Sequence, residues 1–220
     1  MLRFGRSGKG SNPFGATYSN ITQKLSIMEE ISLLYRNIKH HFKPLQDLLG
    51  VPFLLGGGCI GDFISFGRVI KDYDFFFKSY EDMKNFEKRI KDLGFRLIGE
   101  SEMGRQYSFL NLEFDIIAWQ VKEKASDWVK QSDFTVNCAI LDGNELFMHE
   151  RTLQDCLNKE LVPIFVDTLF RYRIKRYIDK GYHIHPGSAL NNVLFNQEFD
   201  LDSVKKCEDS EVISINLEYF

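Results

Sequence analysis

The 220-residue sequence predicts an α+β domain in which short strands and amphipathic helices follow one another. Three observations support this prediction. The segment from Phe53 to Phe77 reads as a buried strand, a glycine turn, a short helix and a second strand. Apolar residues within residues 80–93 recur at helical spacing. Residues 133–141 lead into a turn at residues 142–144 that is typical of a β-hairpin.

The composition excludes several classes of protein. A formal net charge of −3 argues against binding nucleic acid by bulk electrostatics. No apolar run approaches the roughly 20 residues of a membrane span, and the N-terminus lacks the apolar core of a signal peptide. Four cysteines stand far apart without a CxxC pair: Cys59, Cys138, Cys156 and Cys207. We therefore expect reduced thiols, no membrane partner and a cytoplasmic protein.

The N-terminal part reads as an arm followed by a long helix. Residues 1–18 are rich in Gly, Ser and Arg without a period, which predicts a flexible arm. Apolar residues at helical spacing then predict a helix from about Asn20 to Phe42. Pro44 is expected to break or kink this helix and to leave only a short helical turn before Gly50.

The glycine turn and the acids beyond it predict a site for metal and nucleotide. Asp72 and Asp74 are two residues apart on a predicted strand, so their carboxylates point the same way. Two adjacent carboxylates repel one another unless a cation lies between them, and their hard oxygens suit Mg²⁺. Backbone N–H groups in the turn at residues 56–58 can hold phosphate.

The other elements follow in order along the chain. The patterns predict a helix over 80–93, strands over 95–98 and 107–119, and helices over 123–131, 152–158 and 167–180. In the longest strand Glu113 and Asp115 share a face, so either could accompany Asp72 and Asp74. Arg173, Arg176 and Lys180 gather on one side of the last helix. The two arginines, at i, i+3 spacing, could neutralise phosphates.

The glycines also satisfy a competing motif. Gly56, Gly58 and Gly61 match GxGxxG, the fingerprint of dinucleotide-binding folds. In that fold the ribose-binding acid follows the apolar run of the second strand. Here Asp72 and Asp74 precede this run, and the intervening helix is short, so we reject a nicotinamide cofactor. Gly61 and Gly67 are expected to form turns.

The motifs together resemble the DNA polymerase β nucleotidyltransferase superfamily over residues 53–182. Gly57-Gly58-x-x-x-Asp62 followed by Asp72-Tyr73-Asp74 is similar to the head-domain signature of class II CCA-adding enzymes and bacterial poly(A) polymerases. Three further stretches agree in order with that family: the carboxylate-bearing strand at 114–116, the segment DFTVNCA at 133–139, and the helix at 167–176.

This resemblance implies a mixed sheet flanked by helices, with a head domain at 19–165 and a C-terminal helical segment at 166–220. It implies transfer of NMP from an NTP, with ATP favoured, to a hydroxyl group by way of two Mg²⁺ ions. The acceptor would be an RNA 3′ end such as that of tRNA, a protein or a small molecule. Asp72, Asp74 and Asp115 would be catalytic and hold the metal. The residues expected to bind nucleotide are Gly57, Gly58, Asp133, Asn137, Asp167, Arg173 and Arg176.

Departures from the family pattern keep two other functions open. Arginine positions of the family are occupied here by Gly61, Gln131, Ser132 and Phe170. Base preference therefore does not carry over. One alternative is a head domain without catalysis that binds a nucleotide or a partner protein. Another is a compact nucleotidyltransferase of the toxin or defence type that acts on tRNA or protein.

Overall fold

The computed structural model describes residues 15–69, 73–110, 112–164, 170–186, 190 and 211–220, with the side chains of the first helix described from Met28 onward. The described helices are α1 (Gly15–Leu49), α2 (Gly58–Phe66), α3 (Tyr80–Asp92), α4 (Ala125–Val129), α5 (Thr152–Asn158) and α6 (Phe170–Lys180). The described strands are β1 (Leu54–Gly56), β2 (Tyr73–Phe76), β3 (Arg96–Glu100), β4 (Gly104–Phe109), β5 (Leu112–Ile117), β6 (Ala139–Asp142), β7 (Glu145–His149) and β8 (Val212–Asn216).

All of the described strands form one mixed sheet in the order β3-β4-β5-β2-β1-β6-β7-β8. β2 and β5 run parallel, and the other neighbouring pairs are antiparallel. The α+β class and the mixed sheet expected from the sequence are thereby confirmed. The parallel pair lies near the middle of the sheet, and it carries Asp74 on β2 and Asp115 on β5.

Alternation along the strands divides the sheet into two faces. Leu55, Phe75 and Phe114 point into the main core, where they meet the buried sides of α1, α2 and α3. Leu54 and Ile140 join a smaller cluster on the opposite face, which α4 covers. Because α4 is short, part of this second face stays open. The candidate site lies there.

The first helix is longer than the sequence analysis predicted. α1 runs from Gly15 through Pro44 to Leu49, so the predictions of an arm reaching residue 18 and of a helix ending near Phe42 are wrong. A proline removes one intrahelical hydrogen bond. Phe42 and Leu49 are buried on either side of Pro44 and anchor both halves to the core. Residues 1–14 of the expected arm lie outside the described residues.

The strand predicted over 107–119 is in fact two antiparallel strands. β4 and β5 pair from Gly104↔Ile117 to Phe109↔Leu112, and Leu110 adopts a positive φ of 55° at the turn. The sequence shows no glycine there to signal a hairpin. The predicted alternation within β5 is nevertheless confirmed, because Phe114 and Ile116 are buried on the core face.

The C-terminal segment contributes a helix and also a strand. The helix predicted near 167–180 is confirmed by α6. β8 was not predicted, although Ile213 and Ile215 alternate and pack on the core. It pairs antiparallel with β7 at the end of the sheet. The final residue then packs on α1, with ring centroids of Phe220 and Tyr35 5.2 Å apart.

Three of the cysteines, Cys59, Cys138 and Cys156, are buried, and Cys207 lies outside the described residues. Desolvation raises the pKa of the Cys156 thiol to about 12, which makes this side chain a core residue rather than a nucleophile. None of the helices in the described part of the chain combines the length and the apolar character of a membrane span.

His149 at the end of β7 gives the fold a pH-dependent stability. Its side chain is 4% exposed, and Nδ1 accepts a hydrogen bond from the Arg151 N–H at 3.0 Å. Burial lowers the pKa of His149, which outweighs the opposing effect of Glu150 and Asp155. The native protein therefore keeps this imidazole neutral where the unfolded chain takes up a proton.

We expect the free energy of unfolding to fall as the pH drops below about 6.5, the pKa of an unfolded histidine. Denaturant titrations over a pH series would measure this loss. A His149→Leu variant is expected to have a flatter pH dependence than the native protein, whatever its absolute stability. His183→Gln, at an exposed histidine, is the matched control. Equal pH slopes for native protein and His149→Leu would contradict the assignment.

Candidate active site

A cleft of about 320 Å³ opens on the sheet face that α4 only partly covers. Strands β2 and β5 form its floor, the glycine turn forms one end, and α6 forms one wall. The lining residues predicted from the sequence are Gly57, Gly58, Asp74, Asp115, Asp133, Asn137, Arg173 and Arg176. Eight residues predicted from separate motifs therefore line one cavity.

Two of the three predicted catalytic acids are direct neighbours in the sheet. Asp74 pairs with Gly56 of β1 on one side and with Asp115 of β5 on the other. Residues opposite one another on adjacent strands lie about 5 Å apart and point to the same face. Both carboxylates line the cleft, whereas Glu113 is exposed and does not. Asp72 lies outside the described residues.

The glycine turn comes within contact distance of this acid pair. Gly57 has φ 68° and ψ −142°, a conformation that only glycine adopts readily. A Cβ atom at this position would lie 2.5 Å from Asp74 Oδ2. The Gly57 N–H itself donates to the Ala139 carbonyl at 3.2 Å. The contribution of Gly57 to the cleft is therefore its missing side chain, which leaves space above the carboxylate.

Three of the predicted polar residues on the walls of the cleft, on α6 and at residues 133–137, already have partners within the protein. Arg173 Nη1 donates to Asp133 Oδ1, so two predicted nucleotide-binding residues form an ion pair across the wall. Asn137 Oδ1 accepts from the Phe134 N–H at 3.0 Å and thereby caps a short 3₁₀ helix at residues 135–137. Arg176 is exposed at the rim, and Asp167 lies outside the described residues.

The cleft has an aromatic end that the sequence motifs do not indicate. Phe76 follows Asp74 by two residues, and its ring lies 4.6 Å from that of Trp128 between centroids. Trp128 is 3% exposed, and its Nε1 has no hydrogen-bond partner among the described atoms. Trp119 is 44% exposed and meets Trp128 edge to face. Since β2 and β5 both run away from the glycine turn, this surface lies beyond the acids.

Two further residues of α6, Tyr177 and Lys180, also line the cleft. Burial, with contributions from Asp133, Asp62 and Asp74, raises the pKa of the Tyr177 phenol well above its usual value. Tyr177 therefore stays protonated and can donate a hydrogen bond. The sequence carried a signal for Lys180, because it shares a helical face with Arg173 and Arg176.

The carboxylate oxygens in the cleft are suited to ligate one hard divalent cation. Asp74 and Asp115 supply carboxylate oxygens side by side, which is the ligand type that Mg²⁺ prefers. Within the described part of the chain, no group of three or more His, Cys, Asp or Glu residues could hold a metal. A second ion would need Asp72 as well, because two carboxylates alone do not bridge two ions and complete their coordination.

A family model described as "Gabija anti-defense 2 family protein" matches residues 31–159, more than half of the chain. The chain belongs to this family. The matched region includes the glycine turn, both cleft carboxylates and Asp133, and it ends before α6. Among proteins of curated function, none matches the sequence.

Solved structures of tRNA-processing and CCA-adding enzymes are also similar to this chain, and CCA-adding enzymes are the group that its motifs resemble. An apo tRNA-processing enzyme is 17% identical with a TM-score of 0.49, over 72% of this chain and 44% of the other. A tRNA nucleotidyltransferase complexed with a primer tRNA and an incoming ATP analog is 15% identical with a TM-score of 0.48, over 65% and 46%. The Thermotoga maritima CCA-adding enzyme complexed with tRNA is 18% identical with a TM-score of 0.39, over 77% and 41%. The chain thus spans less than half the length of these proteins.

Proposed function

We propose that this chain is a Mg²⁺-dependent nucleotidyltransferase that moves NMP from an NTP, with ATP favoured, onto a hydroxyl group. The observation that carries the proposal is the register of β2 and β5, which places Asp74 beside Asp115 on the cleft face. The glycine turn lies directly against the first of these acids. Phosphate and metal would then meet at one point of the cleft.

In the proposed reaction the acceptor oxygen forms a bond to the α-phosphorus of the NTP. The bond from that phosphorus to the α–β bridging oxygen breaks, pyrophosphate leaves with the electron pair, and the hydroxyl proton passes to solvent. Mg²⁺, when bound, neutralises charge on the transferred phosphoryl group and makes the attacking hydroxyl more acidic.

The residues of the chain would position the two substrates for this step. Asp74 and Asp115 would hold the metal, and the space above Gly57 would admit the polyphosphate close to them. Arg176 at the rim would contact phosphate by charge-assisted hydrogen bonds. The neutral Tyr177 would donate a hydrogen bond without adding charge. The acceptor would approach from the Asp115 side.

We further propose a role against host defence, which the name of the family supports. The family is named for anti-defence against Gabija, and we propose that nucleotidyl transfer is how this chain acts in that role. The acceptor would then be a component of the defence or an RNA that the defence needs. The test compares how well Gabija protects cells that express the native protein with cells that express an inactive variant. It would show whether the anti-defence role requires nucleotidyl transfer.

The direct test is incubation of the native protein with α-³²P-labelled NTPs, Mg²⁺ and candidate acceptors. The acceptors are tRNA, Gabija proteins and small hydroxyl compounds. We expect label on one acceptor and equimolar release of pyrophosphate, with both lost when EDTA removes the divalent ion. Pyrophosphate release without Mg²⁺, or no transfer from any NTP to any acceptor class, would contradict the proposal.

A nucleotide-binding module without catalysis is the second candidate. The ion pair between Arg173 and Asp133 favours it, because a cation already neutralised by a carboxylate contributes less to stabilising the charge of a transferred phosphoryl group. Calorimetry separates the two functions. Binding of ATP that needs no Mg²⁺ and releases no pyrophosphate would favour the module, and Mg²⁺-dependent binding with turnover would favour the enzyme.

A further inference from the structure

A buried ion pair lies beside the glycine turn, between α2 and α6. Lys180 Nζ lies 2.8 Å from Asp62 Oδ2, and the two side chains are 12% and 1% exposed. The Tyr182 hydroxyl donates to Asp62 Oδ1 at 3.2 Å. Ser65 Oγ in turn donates to that hydroxyl at 3.0 Å. Both oxygens of Asp62 are therefore engaged, and the ammonium group is held from one side.

The other side of this ammonium group faces the cleft. Lys180 lines the same cavity as Asp74 and Asp115. Its Nζ lies 3.2 Å from the position that a Cβ atom would take on Gly58. An ammonium group has three N–H donors, and the carboxylate of Asp62 takes one of them. Within the described residues the ammonium group of Lys180 makes no other hydrogen bond, and it lies 5.0 Å from the centre of the Tyr177 ring.

Helix α2, which begins at the glycine turn, contains no lysine or arginine. Gly61 lies one helical turn after Gly58, but a Cβ atom there would lie 1.8 Å from the Val136 carbonyl oxygen. No arginine or lysine can occupy that position without moving the backbone. The positive charge at the turn therefore comes from α6, more than a hundred residues later in the sequence.

A purely structural role explains this arrangement poorly. Desolvating an ion pair costs free energy that its attraction only partly returns, so apolar residues would join α2 to α6 at least as well. A held cation is useful where an anion must bind, because its side chain is already fixed. The site has acids on its floor, and a polyphosphate would need a counter-charge to approach them.

We propose that Lys180 binds the polyphosphate of the nucleotide at the glycine turn, and that Asp62 and Tyr182 are positioning residues that hold it there. The inference rests on the proposed function and names a further residue of the same site. Lys180 adds to Arg173 and Arg176, which the sequence singled out. It differs from Arg176, which is exposed, and from Arg173, whose carboxylate partner is only partly buried, because the carboxylate that holds Lys180 is fully buried.

The test is isothermal titration with ATP and with AMP, both in Mg²⁺, on three variants. Lys180→Met removes the positive charge but leaves the buried carboxylate of Asp62 without its cationic partner. The double variant Asp62→Asn/Lys180→Met removes both charges and keeps the shapes. Lys175→Met changes an exposed lysine on the same helix, outside the cleft, and is the control.

We expect both Lys180 variants to bind ATP about tenfold or more weakly, the loss expected for a hydrogen bond to a charged group. Binding of AMP should change less than about twofold, because Lys180 would contact phosphates that AMP lacks. A structural role would weaken both nucleotides alike. If the double variant folds and keeps the native preference for ATP over AMP, the role of Lys180 is wrong while the proposed function stands. If the native protein binds neither nucleotide, both are wrong.

Discussion

Replacing Asp74 or Asp115 by asparagine is expected to lower the rate of nucleotidyl transfer roughly a thousandfold, equivalent to about 4 kcal/mol of transition-state stabilisation. An amide has nearly the same shape as the carboxylate but only one acceptor oxygen and no charge. The metal would lose a charged ligand while the fold keeps its packing. Initial rates of pyrophosphate release would measure the effect, with circular dichroism to show that each variant is folded.

Glu113→Gln is the matched control for this prediction. Glu113 lies two residues before Asp115 on the same face of β5, so the sequence alone allowed either to be the third acid. The structure places only Asp115 beside Asp74 and in the cleft. We therefore expect Glu113→Gln to keep its rate within about twofold of native. A large loss in Glu113→Gln, with activity intact in Asp115→Asn, would reverse the assignment.

The same variants distinguish catalysis from simple binding. If the chain only binds nucleotide, Asp74→Asn should leave ATP affinity without Mg²⁺ unchanged or improve it, because it removes a negative charge near the triphosphate. If the chain is an enzyme, the loss should appear in turnover and in Mg²⁺-dependent binding. Mg²⁺ titrations at fixed ATP would separate the two behaviours.

The floor of the site was readable in the sequence because it depends on local periodicity. Residues alternate along a strand, so the face of Asp115 follows from the apolar residues on either side of it. The spacing from the glycine turn to Asp74 likewise predicts that this second acid lies close to the turn. Local periodicity does not predict the pairing of β2 with β5, some forty residues apart, which only the family resemblance implied. The register of that pair joins Asp74 to Asp115.

The features that were missed depend on contacts between distant segments. Lys180 and Asp62 are 118 residues apart, and no local pattern signals their pairing. The helix continues through Pro44 because buried residues on either side outweigh one lost hydrogen bond. Trp128 reaches the cleft because α4 packs across the second face of the sheet. In each case tertiary packing overrides or supplements the local signal.

Gly61 illustrates how the structure reverses a local expectation. The sequence predicts a turn at this glycine, and that prediction is wrong, because Gly61 lies inside α2 and is buried. Helix propensity alone would then predict that Gly61→Ala stabilises the protein by about 1 kcal/mol. A Cβ atom at residue 61 would, however, lie 1.8 Å from the Val136 carbonyl oxygen, far inside van der Waals contact.

We expect Gly61→Ala to lower the free energy of unfolding by about 3 kcal/mol, since backbone of the 3₁₀ helix must move to admit the methyl group. Gly67→Ala is the control. Gly67 ends α2 with φ 71° and has no atom within 4 Å of its Cβ position. It should cost only the left-handed conformation, about 1 kcal/mol. Urea denaturation of both variants would measure the two losses.

The close packing of α2 on the 3₁₀ helix brings the glycine turn to the wall that carries Asn137. For this reason a Gly61→Ala variant as stable as Gly67→Ala would contradict the arrangement of the cleft itself.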